Sequence, residues 1–361
     1  MNRRLAERAA VAAVATLAIT CAPVPLGDGP RKTAVRQIAT SIVMPTLDQI
    51  AARAGEMRAA IEQLTNTPSP ESLASAQQAW RVARIPWKEL EALNIGPARD
   101  LRLAVAIDQV PVEPAKIDLE LAGTGPLTDS YVETLGANRK GFHAIEYLLF
   151  RGADDATVLA SLTADPLAYR RRDLLVALAG NLARKTTELR DAWAPEGANY
   201  LGRLVEPGTS TSAFPTIQSV IDALVNESVF LTELVADARL GKALGIGSGG
   251  VPQPDIEESG PSDNSIADMA AALRGVRNAY SEIGRLVAAQ SPATDRAVRE
   301  ALDEAIRSVE AIPRPYRTAV MDQRPEVKAA YDAVKALKRV LGTEVIAVLG
   351  ATLKFNANDG D

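Results

Sequence analysis

The chain of 361 residues contains a single histidine, His143, which stands three positions before Glu146. At about 100° per residue the two side chains fall roughly 60° apart on one helical face, with Tyr147 and Phe150 on the same side. Phe142, Ile145, Leu148 and Leu149 fill the opposite side. A helix that is apolar on both sides is normally buried, so the pattern predicts that Gly141 to Phe150 carries its imidazole and carboxylate into the interior. Buried polar groups require partners. Two arrangements meet that need. His143 and Glu146 satisfy each other as an internal pair, or they act as two ligands of a metal ion whose shell is completed from elsewhere in the fold.

Residue counting limits the chemistry further. Common zinc peptidases hold their ion with two histidines and a carboxylate and use a glutamate as base. The H-E-x-x-H spacing is absent, and no second histidine exists in this chain to be borrowed. A peptidase would need a one-histidine, carboxylate-rich site or a ligand from another subunit. One imidazole among several carboxylate oxygens suits iron or manganese better. Iron is therefore the expected cofactor, with other divalent metals left open, and no residue is assigned a catalytic role. Cys21 is the sole cysteine, which excludes an intramolecular disulfide and a cysteine-rich metal site. No glycine-rich phosphate cradle follows a strand pattern. A net charge of −5 and a pI near 5.3 argue against nucleic acid as a partner.

The elements that must position these residues read as helices. Alanine and leucine are abundant while aromatics are only 4% of the chain, a balance that favours helix over sheet. A periodic pattern predicts a long helix from Thr33 to Leu64, which Pro45 should kink or break in two. Ser69, followed by Pro70 and Glu71, is a helix start, and the next helix runs to about Leu93 through Trp80, Ala83, Trp87 and Leu90. Arg81, Lys88 and Glu89 read as solvent-facing charges on it. Residues 98–137 are less regular, with a short helix from Ala115 to Leu121, and lead directly into the histidine helix. Further helices are predicted from Pro166 to Leu204, Phe214 to Leu240, Ser265 to Ala289, Asp295 to Ile312 and Pro325 to Leu349. The Gly/Pro/Ser-rich stretch from Gly241 to Asn264 reads as a loop.

The first 22 residues read as an export signal. Arg3, Arg4 and Arg8 precede a short apolar run from Ala9 to Ile19, too short for a retained span. Two processing routes fit: lipidation of Cys21, or cleavage after Ala22. The expected location is the periplasm or cell envelope, with membrane contact only through a lipid anchor at Cys21.

Several segments, taken together, resemble the imelysin family, whose signature is G-x-H-x-x-E. They are Trp80 to Pro97, Ile107 to Pro111 and Gly141 to Phe150, followed by Gly241 to Ile246, Glu258 to Ser262 with Ser265, and the closing Leu353 to Asp361. Two departures fall on the lining of the site: Gln109-Val110 stands where the family usually has a tryptophan, and Ile95 where it commonly has an aromatic. The resemblance implies an all-α fold of two packed helical bundles, divided here into residues 31–205 and 206–361, with a loop-rich insertion carrying the G-x-H-x-x-E helix. It also implies an exported envelope protein linked to iron uptake or handling, with envelope iron-uptake or redox components as partners. A metallopeptidase activity is the alternative that the family name suggests, and a helical interaction module with a structural His-Glu pair is a third. On the matching segments, Glu91 and Asp108 join His143 and Glu146 as metal ligands. Arg84, Trp87 and Gly141 are expected to orient a carboxylate or contact a ligand.

Overall fold

Apolar residues recurring at helical spacing give helices throughout. The structure, a computed structural model, describes residues 27–353, and no strand occurs among them. The export segment with Cys21 and the closing residues 354–361 lie outside the described residues.

The first helix, α1, spans residues 28–66 without a break and buries Leu47, Ile50, Met57, Ile61 and Leu64. Of the kink or break expected at Pro45, the break does not occur: a π-helical turn at Ile38–Val43 precedes the proline and the α-helix resumes at Met44. A π turn widens the helix just ahead of a residue that has no N–H to give. The Thr46 hydroxyl donates to the Ile42 carbonyl at 2.7 Å, supplying a partner beside the proline.

Thr67–Ser69 turn the chain into α2 (Pro70–Leu90), which Ser69 opens through reciprocal hydrogen bonds with Ser72. Four short helices then make the irregular insertion: α3 (Pro97–Asp100), α4 (Leu103–Ile107), α5 (Pro114–Ala122) and α6 (Asp129–Thr134). The histidine helix follows as α7 (Phe142–Phe150), and all nine of its residues are buried. Next come α8 (Asp155–Thr163), α9 (Ala168–Trp193) and α10 (Tyr200–Val205). The single helix expected from Pro166 to Leu204 is thus two, parted where Pro195 and Gly197 interrupt the pattern. The rest is α11 (residues 217–241, ending in a π turn at Leu234–Gly241), α12 (Ser265–Gln290), α13 (Pro292–Glu310), α14 (Tyr316–Met321) and α15 (residues 325–349).

Helix α1 packs against α2 and α9, α13 packs against α12 and α15, and α12 lies directly on α2. Gly275 makes that last crossing close, since a Cβ there would stand 2.1 Å from the Glu89 carbonyl oxygen. Backbone on both sides leaves nothing flexible to yield, so Gly275→Ala should destabilise the protein by about 1–3 kcal/mol. Urea unfolding followed by far-UV circular dichroism measures this, and a variant as stable as wild type would show that the two helices can part without cost.

Candidate metal centre

Helix α2 contributes two cations one turn apart, Arg84 and Lys88, and both point inward, at 0% and 1% exposure. The expectation that Lys88 faces solvent is therefore wrong. Its aliphatic stem lies in the core and its ammonium meets carboxylates delivered by distant segments, which α2 read alone does not reveal. Arg81 and Glu89 are partly buried as well. Arg81 donates to the Ser262 carbonyl at 3.2 Å, and Glu89 lies 3.6 Å from Arg274.

The carboxylates come from three places. Asp108 ends α4, and its Oδ1 accepts from Arg84 Nη1 at 2.7 Å. Its Oδ2 accepts from Trp87 Nε1 and Lys88 Nζ, each at 2.8 Å. Glu258 lies in the loop before α12 and accepts from Arg84 Nη2 at 3.1 Å and from Lys88 through Oε1, and from Arg239 Nε at 2.7 Å through Oε2. Asp268 sits in the first turn of α12 and accepts from Arg84 Nη2 at 2.9 Å, Asn264 Nδ2 at 2.8 Å and Ser259 Oγ at 2.5 Å. Arg239 belongs to the π turn that ends α11, a distortion often found at functional positions. It also reaches Glu91 at 3.1 Å.

His143 enters this cluster from the first turn of α7. The helix can start where it does because Gly141 adopts φ +78°, with its α-carbon pressed on α4: a Cβ would stand 2.3 Å from the Ile107 carbonyl oxygen. The glycine of the motif thus seats the histidine beside Asp108. His143 Nδ1 lies 2.7 Å from Glu146 Oε2, and Glu146 Oε1 accepts from the Ser262 N–H at 3.1 Å and its hydroxyl at 2.6 Å. Ring orientation is therefore held by a carboxylate that is itself held by the loop. The other ring nitrogen, Nε2, makes no aligned hydrogen bond but stands in ion-pair contact with Asp108 Oδ1 at 3.2 Å and with Glu258 Oε1 at 3.8 Å.

One ligand atom each from Asp108, His143 and Glu258 lies within 4.8 Å of the others. A buried imidazole nitrogen facing two carboxylate oxygens, with its opposite face braced by a carboxylate, is a donor set that fits a cation once the ring gives up its proton. Of the residues expected at the site, His143 and Asp108 lie in this set, and Glu146 lies behind the imidazole. Glu91 is at the rim, 20% exposed and paired with Lys88 and Arg239. Arg84 and Trp87 both donate to Asp108. Glu258, Asp268, Arg239, Lys88 and Ser262 were not anticipated as site residues. The Glu258 to Ser262 segment, noted only as family-like, was the one signal that pointed toward them.

Electrostatics follow from burial and pairing. Burial and Arg84 both push the His143 pKa down, but the charge and close contact of Asp108 and the hydrogen bond to Glu146 outweigh them and raise it to about 10. Burial raises the Asp108 carboxyl, yet Arg84, Lys88 and His143 hold it well below the usual range, and Arg239 and Lys88 do the same for Glu258 against its own burial. A raised histidine contributes stability that is complete below its unfolded value of about 6.5 and is lost as pH climbs to about 10. Depressed carboxylates contribute stability that is present above about 4 and is lost in stronger acid. The metal-free protein should therefore lose stability progressively between about pH 6.5 and 10, and His143→Gln should flatten that limb. Thermal melting across this range reads the effect, and an unchanged slope in the variant would exclude His143 as its source.

Comparison with known proteins gives the same architecture. The imelysin family model matches residues 43–341. Iron-regulated protein A of Synechococcus elongatus is 28% identical over 322 residues, covering 85% of this chain and 84% of that protein. A solved structure of an iron-regulated protein A precursor from Parabacteroides distasonis superposes with a TM-score of 0.78 at 21% identity, over 90% of this chain and 96% of that one. An imelysin-like protein from Psychrobacter arcticum gives 0.74 at 18% identity, over 92% and 99%. These two likenesses speak to the fold, which is all-helical in the same way. With most of its length matched by the family model, the chain belongs to the imelysin family.

Proposed function

We propose that this protein binds a metal ion, with iron the favoured ion, through His143, Asp108 and Glu258, and serves iron uptake or handling in the cell envelope. The observation that carries the reading is His143 Nε2, buried, without an aligned hydrogen bond and facing two carboxylate oxygens in charge contact, so that an ion taking its place would release the ring proton. Glu146 fixes the imidazole so that Nε2 faces the carboxylates, and Ser262 fixes Glu146. A relative named for its iron regulation supports the choice of ion, as does a donor set of one imidazole and two carboxylates. A bound ion would supply Lewis acidity and, if iron, a redox couple.

Binding is favoured over peptide cleavage by what surrounds the set. A metallopeptidase needs a carboxylate free to take a proton from the attacking water. Here Asp108, Glu258, Asp268, Glu91 and Glu146 are each engaged by a cation, a hydroxyl or the imidazole. None of these five is left unengaged to take that proton.

Calorimetric titration with ferrous, ferric, manganese and zinc ions tests the proposal. His143→Ala should abolish stoichiometric binding while far-UV ellipticity is retained, and Asp108→Asn and Glu258→Gln should each weaken it by more than 100-fold. Glu146→Gln, acting behind the imidazole, should cost about 10–100-fold. Wild-type affinity in the His143 variant would remove the site.

Export is part of the same reading. A short basic-then-apolar leader is cleaved on secretion, so intact-mass measurement of native protein should find the first twenty or so residues gone. Acylation at Cys21 would indicate a lipid-anchored form and a Pro23 start a free one. Retained Met1 on protein from the cytoplasm would refute export.

A further inference from the structure

Two buried cations stand in the cluster, and they are held very differently. Arg84 is locked: its fork grips Asp268 through Nε and Nη2, and its plane lies 5.1 Å from the Trp80 ring and 5.4 Å from the Phe142 ring. Lys88 has no such cradle. Its ammonium is a point charge on a four-carbon stem, and it is held by three carboxylates alone: Asp108 Oδ2 at 2.8 Å, Glu91 Oε1 at 2.7 Å, and Glu258 Oε1. Two of the three, Asp108 and Glu258, belong to the proposed ligand set. The third, Glu91, points the other way, into a cavity of about 190 Å³. Trp87, Leu90, Asn94 and Asp108 also line that cavity, so Asp108 faces the cavity and the ligand set together.

We propose that Lys88 is the resident counter-cation of this centre: its ammonium holds Asp108 and Glu258 together in the metal-free protein and yields them to an incoming divalent cation, retreating to Glu91 at the edge of the cavity. The inference rests on the metal-binding reading. Asp108 and Glu258 repel each other across the face of His143, and Lys88 shares with Arg84 and Arg239 in offsetting that repulsion. Once an ion takes those oxygens, a second cation pressed against them opposes it. Lys88 therefore stabilises the empty protein and weakens its hold on the metal. A lysine that merely positioned the carboxylates would favour both.

The test compares wild type with Lys88→Met and Lys88→Gln by thermal melting with and without manganous ion and by calorimetric titration with the same ion. Both variants should melt below wild type when metal-free, yet bind manganese on the order of tenfold more tightly or better, so that the ion raises their melting temperature more than it raises that of wild type. Glu91→Gln, which removes the place of retreat, should weaken binding. If Lys88→Met folds only when manganese is present, that supports the proposal, and Lys88→Gln then carries the affinity comparison. Equal or weaker affinity in the variants, with wild type binding normally, would overturn the role of Lys88 and leave the metal site standing. Absence of binding in wild type and all variants would overturn both.

Discussion

The guanidinium of Arg84 is the point on which the two halves of the chain converge. It is wholly buried and meets Asp108 from the insertion, Glu258 from the loop before α12 and Asp268 from α12 itself. Removing one member of a buried ion pair costs about 3–5 kcal/mol, and here three carboxylates meet the one guanidinium. None of the three acidic segments can therefore dock slightly out of place, because each would leave the guanidinium short. The aromatic faces of Trp80 and Phe142 add to this by fixing the plane of the fork. What the network contributes is alignment more than net stability, since the desolvation of so many charges offsets much of their attraction.

From that alignment the histidine acquires its setting. Glu146 and Ser262 brace one ring nitrogen while Asp108 and Glu258, placed by Arg84, stand before the other. Arg81 extends the brace by holding the Ser262 carbonyl. The loop from Glu258 to Ser262 thus contributes on both sides of the imidazole, with an acid in front and a hydroxyl behind. The polar groups of this loop are thus consumed by buried partners instead of by water.

Much of this fold is legible from periodicity, because burial repeats at helical spacing along α1, α2, α12 and α13. The buried His-Glu helix is legible for the same reason, as apolar residues flank it on both sides. Lys88 is not. On a helix whose neighbours are unknown, a lysine beside Glu89 and Glu91 reads as a surface charge, and only the arrival of Asp108 and Glu258 from outside α2 makes an inward ammonium tolerable. Glu258 and Asp268 escape for the complementary reason: each lies over 100 residues from His143 in sequence, and no local spacing links them. Pro45 misleads differently, since a backbone can absorb a proline by widening one turn as well as by breaking.

Two readings of His143 and Glu146 that seem opposed in the sequence become compatible in three dimensions. The pair is satisfied by a hydrogen bond on the Nδ1 side and, on the Nε2 side, by charge contact with Asp108 without an aligned hydrogen bond. A purely structural pair would have no need of two further carboxylates gathered at the open nitrogen, nor of two buried cations to make that gathering affordable. Like charges are not brought within a few ångströms of one another in a low-dielectric interior unless a positive charge between them compensates. Here the compensation comes from Arg84, Lys88 and Arg239. A cluster held in charge balance has its carboxylates already desolvated and aimed, so under the metal-binding reading the cost of assembling a ligand shell would be met during folding.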